Sequence, residues 1–192
     1  MNYHEKEHQE VIRSLTDALF ILMDKQVFST ITVTDLIQKA GVSRATYYRN
    51  FDSMEQIIEL HIRHILGLFS DEYPTQSFSD RYSAEHLVHV LSYAGLYVEH
   101  LSILKKSGLS YMYLDQLNRF LIKLYKAENN THMKMLIYSF AGAEFNLIFN
   151  VFLENPSDST GLLLKYADRL FRDENMPQAT RTAIKGGEKA AQ

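Results

Sequence analysis

Cysteine is absent from the 192-residue chain, which excludes disulfides, Cys-ligated zinc, iron–sulfur clusters and thiol nucleophiles. Proline (three) and glycine (eight) are sparse, so little punctuates the leucine-rich runs and an all-α fold is expected. No stretch of 18 uncharged apolar residues occurs, and the opening MNYHEKEHQE has no apolar signal core. A soluble, cytoplasmic chain without a membrane partner is therefore predicted. The net charge is only −3, which argues against a globally basic surface. No P-loop, dinucleotide glycine pattern or G-x-S-x-G elbow is present, and no Ser/His/acid spacing suggests a triad. Neither an enzyme nor a cofactor is expected. What the chain does have is 46% hydrophobic residues, enough for a sizeable core.

Apolar positions recur three and four apart, which places them on helical stripes. Residues 1–9 are polar and predicted to fray. Ile12, Leu15, Ala18, Leu19 and Leu22 form the first stripe, ending near Asp24. Thr32 with Asp35 three residues on reads as a capping box for a second helix, which Gly41 stops. Ser43 caps a third, Arg44 to about Asn50, and Ser53 caps a fourth, reaching about Glu72. Residues 73–83 are rich in Ser, Asp and Pro and read as a linker. Four further helices are predicted, at about 84–106, 110–127, 132–154 and 159–172. Residues 174–192 are expected to form a loose tail.

The strongest local signal is Thr32 to Phe51, where two short helices meet at a tight turn holding Gly41. That is the composition of a helix-turn-helix. Gly41 can take the positive φ such a turn needs. Val42, Tyr47 and Phe51 can pack inward, which leaves Arg44, Ala45, Thr46, Tyr48 and Arg49 on the outer side or leading end of the second helix. An Arg there can read guanine, Thr or Ala can touch a thymine methyl, and Tyr and Arg can bond phosphates. From Leu36 to Phe51 there are three basic residues (Lys39, Arg44, Arg49) and no acidic ones. Residues 1–65 nevertheless carry seven basic and nine acidic residues, so the positive surface is a small spot.

Thr32, Ala40-Gly41-Val42-Ser43, Arg44, Tyr47, Tyr48, Phe51, Ser53 and Glu55 together resemble the signature of the TetR family of bacterial transcriptional regulators. The match covers about residues 10–65, and the rest agrees in layout only. The chain looks most like the subset with compact C-terminal domains that includes DhaS-like regulators. The resemblance implies a DNA-binding head at 1–52, a ligand-binding and dimerising body at 53–173, and repression of a palindromic double-stranded DNA operator by a homodimer. A small-molecule effector in the body would lower operator affinity. Thr32, Ser43, Arg44, Ala45, Thr46, Tyr48, Arg49, Asn50 and Ser53 are the implied DNA-facing positions. Two of them depart from the pattern or neighbour a departure. Asn50 stands where His or Tyr is common, and Met54 stands where a phosphate-gripping Lys is common. The alternatives are a TetR-like co-activator working through a protein partner, and a metal sensor.

Aromatics crowd the C-terminal part, and Tyr93, Tyr97, Tyr113, Leu117, Phe120 and Tyr138 are the expected ligand-binding residues. Tyrosine offers an apolar wall and an orienting hydroxyl. Asp115, Glu144 and Arg119 are candidate charged determinants. His61/His64 and His86/His89 are spaced i, i+3 and would bind metal only if brought together. His4-Glu5-Lys6-Glu7-His8 matches H-E-x-x-H but lacks an apolar helix to hold it, so no metal site is assigned.

The helix at about 132–154 carries two apolar stripes. One holds Tyr138, Ala141, Gly142, Phe145, Phe149 and Phe152; the other holds Met133, Ile137, Phe140, Leu147 and Val151. The helix at about 159–172 adds Leu162, Leu163, Leu164, Ala167, Leu170 and Phe171. Two such helices from each of two chains would make a four-helix bundle. Phe145, Phe149, Phe152, Leu163, Ala167 and Leu170 are its expected interface.

Overall fold

A computed structural model describes residues 3–155, with side-chain surroundings from Lys6 onward. The predicted helix at 159–172, the tail at 174–192, and the expected interface residues Leu163, Ala167 and Leu170 lie outside the described residues. Within them are eight α-helices and no strand, as the sparse proline and glycine imply.

Helix α1 (Tyr3–Lys25) buries Leu15, Ala18, Leu19, Phe20 and Met23 and lies against α2 (Val33–Ala40), α4 (Met54–Glu72) and α6 (Val98–Lys106). It starts inside the segment 1–9 that is predicted to fray. Helix α3 (Arg44–Asn50) follows α2 across the Gly41 turn. Helix α4 sinks Ile57, Ile58, Ile62, Ile65, Leu66 and Phe69 into the core and packs on α7 (Tyr111–Leu124), which packs in turn on α8 (Thr131–Asn146). The α4 start differs from expectation. Ser53 makes no side-chain cap; the Gln56 amide oxygen accepts from the Asp52 N–H at 2.9 Å instead.

Two other expectations are corrected. The stretch at 73–83 is not a loose linker, because a 3-10 helix at Phe78–Tyr82, with its own Ser77/Asp80 capping box, is folded into the body. Phe78 packs edge-on against Tyr125 and Phe140, and Arg81 is buried beside it. The helix expected at 84–106 is two, α5 (Ala84–Leu96) and α6, turned 78° apart at Tyr97. The bend brings α6, with its buried Leu101 and Leu104, against α1 and residues 147–154.

Helix α8 runs into a π-helical turn (Leu147–Val151) and a 3-10 turn (Phe152–Glu154). The Asn146 side-chain amide bonds the Gly142 carbonyl at 2.7 Å immediately ahead of the π turn, the kind of local competition that disturbs an α-helical ladder. Residues Thr131–Glu154 are long and apolar enough, by composition, to cross a bilayer. Met133, Ile137, Phe140, Ala141, Ile148, Phe149 and Phe152 from this run are buried in the chain's own core. The two expected stripes thus merge into one buried arc that leaves out Tyr138 and Val151, both exposed. Phe149 and Phe152, expected at a dimer interface, are internal, and Phe145 is half-buried with its ring stacked on Phe149 at 4.8 Å. The face left open carries Met135, Tyr138, Ser139, Ala143 and Asn146.

Candidate functional site

Two regions carry chemistry. The first is built by α2, the turn and α3. Thr32 caps α2 in a full capping box, its hydroxyl accepting from the Asp35 N–H at 3.1 Å and donating to Asp35 Oδ2 at 2.6 Å. The Thr32 hydroxyl and then its backbone N–H, which donates to the same Oδ2 at 2.9 Å, hold the Asp35 carboxyl below its ordinary pKa. Gly41 sits at φ 68°, ψ 29°, the left-handed cap expected of it. Ser43 caps α3 by accepting from the Thr46 N–H at 3.0 Å.

Side chains on α3 divide as the sequence suggests. Tyr47 is 1% exposed and meets Tyr48 edge-on at 5.0 Å and Phe51 at 6.4 Å. Tyr48 is 53% exposed, and Arg44, Ala45 and Arg49 are exposed. Arg44 Nη2 donates to the Thr34 hydroxyl at 2.8 Å, so its guanidinium is steadied across the two helices. Thr46 is half-buried, and Asn50 gives its side-chain amide to the Thr46 carbonyl at 2.7 Å. Ser53 and Met54 are half-buried at the start of α4. Arg44, Ala45, Tyr48 and Arg49 therefore share an outward surface, whereas the Thr32 and Asn50 donors are already in use.

The second region is a cleft in the body between α4, α5, α7 and α8. Tyr93, Tyr97, Tyr113, Leu117 and Phe120 line it, as expected. Tyr138 does not; it is half exposed on the open face of α8. The space the cleft offers to water is about 30 Å³, the room of one or two molecules.

Two charged groups face this mostly apolar space. Glu144 is 7% exposed, and its Oε2 has no hydrogen-bond partner. Burial pushes its carboxyl up from 4.5 to about 7, against the opposing pull of Arg81. Arg81 is 4% exposed; its Nε donates to the Tyr125 hydroxyl at 2.8 Å, and its guanidinium lies 5.5 Å from that ring's centre. Its Nη1 is 3.4 Å from His86 Nε2. Burial, then Arg81, drives the His86 pKa down to about 3, so that ring is neutral. Burial also raises the Tyr113 hydroxyl well above its usual range. Sequence reasoning had Glu144 as a candidate but missed Arg81, which sits in a Ser/Asp-rich stretch that looks like exposed loop. The other charged candidates, Asp115 and Arg119, pair with each other at 2.9 Å.

The histidine pairs do not converge. His61 bonds His100 at 2.8 Å, and His100 stacks on Phe20 at 4.3 Å; His89 stacks on Tyr73 at 4.2 Å. Among the described residues no group of three or more His, Asp or Glu could hold a metal ion.

No protein-family model matches the chain, and no curated protein matches it. Among solved structures it is similar to the crystal structure of Lin0861 from Listeria innocua. The TM-score is 0.71 and the identity 19%, over 90% of this chain and 94% of that one. At that identity the likeness defines a shared all-helical fold and nothing finer.

Proposed function

We propose that the chain is a cytoplasmic, DNA-binding transcriptional regulator of the TetR type, acting as a repressor. One observation carries the reading: the α2–turn–α3 unit buries Tyr47 and turns Arg44, Ala45, Tyr48 and Arg49 outward from a short helix. Such a helix fits the major groove, with Arg44 as the base reader and Tyr48 and Arg49 as backbone contacts. Two heads are needed for a palindromic operator. The open face of α8, with Met135 and Tyr138 flanking the small residues Ser139 and Ala143, is the surface on which a second chain would pack, together with the helix predicted at 159–172. An effector in the body cleft would release DNA by binding the DNA-free conformation more tightly, and linkage requires the two ligands to weaken each other equally.

The test is fluorescence polarisation on DNA flanking the chain's own gene. Saturable, salt-sensitive and sequence-selective binding that Arg44→Ala weakens supports the reading; binding that Arg44→Ala and Tyr48→Ala leave unchanged refutes it. A second reading, a co-activator that docks on a protein partner, is favoured by Met54 where a phosphate-gripping Lys is common and by the engaged Asn50 amide. Absence of any selective DNA binding by the pure protein would move the choice to it.

A further inference from the structure

The body cleft holds two buried charged groups that differ in one respect. A carboxyl can shed its charge by taking a proton; a guanidinium cannot. Arg81 is 4% exposed, and the groups it touches are a phenol and a neutral imidazole. Among the described residues none of its hydrogen bonds goes to a carboxylate, and no ion pair neutralises it. A buried cation in that position is costly until an anion joins it. Glu144 lines the same cleft but makes no hydrogen bond to Arg81: its Oε2 is unpartnered, and burial, outweighing the pull of Arg81, favours its protonated form. A protonated carboxyl is a hydrogen-bond donor with an open direction.

We propose that the cleft binds a small monocarboxylate with an apolar tail, its carboxylate on the Arg81 guanidinium and the Glu144 carboxyl donating to its second oxygen. The tail lies among Tyr93, Tyr113, Tyr97 and Phe120. A charge-assisted pair with Arg is the strongest polar contact the site can offer. An ammonium ligand is the opposite solution, and the fixed charge of Arg81 disfavours it. The water-sized space of the cleft, about 30 Å³, takes a carboxylate-sized group. A longer tail extends toward Tyr97 and Phe120, the half-buried members of the wall. This inference rests on the reading of the cleft as an effector site.

The experiment is calorimetric titration of the full chain with butyrate and benzoate, with butylamine and benzamide as controls at the same pH and ionic strength. The acids are expected to bind saturably, and at least tenfold more tightly than the amine or the amide. Arg81→Gln should weaken the acids at least tenfold, whereas Glu144→Gln, which keeps a donor, should change them by less than about threefold. If Arg81→Gln fails to fold by circular dichroism, Arg81→Lys replaces it, with a severalfold loss expected. The wild-type preference for acid over amine decides the matter without any variant. Preference for the amine, lost in Glu144→Gln, overturns the proposal, as does absence of acid binding or indifference to both Arg81 substitutions. Operator binding is measured on the same samples. Acid binding without operator binding would sink the regulator reading alone; operator binding without acid binding would sink this inference alone.

Discussion

Replacing Glu144 with glutamine should change how the stability of the fold depends on pH. Burial raises the Glu144 carboxyl from 4.5 to about 7, so the folded chain holds a proton that the unfolded chain releases above 4.5. A raised acid contributes stability that is fully present below 4.5 and is lost as pH rises through about 7. Each pH unit between those values is about 1.4 kcal/mol, so the whole loss is about 3 kcal/mol, a large part of the 5–15 kcal/mol typical of a domain. Glu144→Gln removes the titration and leaves a pH-independent offset from repacking the amide. Urea unfolding followed by circular dichroism at pH 5, 6, 7 and 8 would measure both proteins. The variant should gain on the wild type by about 2.5 kcal/mol between pH 5 and 8, mostly before pH 7. Parallel profiles, within about 1 kcal/mol, would refute the picture of a desolvated carboxyl left without a partner.

Further outcomes are expected elsewhere. Tyr47→Ala should destabilise the head by about 3–5 kcal/mol, measured by urea unfolding, since it removes a fully buried ring, whereas Tyr48→Ala should cost less than about 1 kcal/mol. Gly41→Ala should cost about 1–2 kcal/mol in the same assay, because a Cβ there meets open space but must adopt a left-handed backbone. His61, which burial, then His100 and His64, depresses from 6.5 to about 4, contributes stability above pH 6.5 that is lost as pH falls toward 4. His61→Phe should flatten the acid limb over that window in the same unfolding series. Phe149→Glu should unfold the chain, visible by circular dichroism, instead of yielding folded monomers, because Phe149 is 1% exposed within its own chain.

Where local chemistry decides conformation, the sequence is easily read. Thr32 with Asp35, Gly41 and Ser43 each act on backbone groups within four residues, and each does what its type implies. The inward Tyr47 follows from helical spacing alone. Legibility falls where tertiary packing decides. Nothing in Gly95-Leu96-Tyr97-Val98 announces a 78° turn; it goes with packing of α6 on α1 and on residues 147–154, distant in sequence. Arg81 looks like a solvated loop residue because its neighbours are Ser, Asp and Tyr, yet Phe78 three residues earlier draws the segment into the core. On α8, two stripes were separated that the fold merges into one arc, because an apolar sector wider than half the helix has no internal boundary in the sequence. Tyr138 sits at the edge of that sector, and the periodicity places it on the wrong side.

The elbow at Tyr97 has a mechanical consequence. Its ring lies in the wall of the body cleft, packs on Tyr93 at 5.4 Å, and meets His61 of α4 at 6.3 Å. Beyond it α6 is an arm of nine residues, about 13 Å long at the helical rise. Rotating that arm by about 10° sweeps its tip through roughly 2 Å, by the same geometry. At the tip is Lys106, whose Nζ grips both the carboxylate and the carbonyl of Asp24 at 3.1 Å. Asp24 is in the last turn of α1, the helix on which α2 rests. A group that displaced the Tyr97 ring would thus push on α6, and through the exposed Lys106–Asp24 pair on the last turn of the helix that α2 packs on.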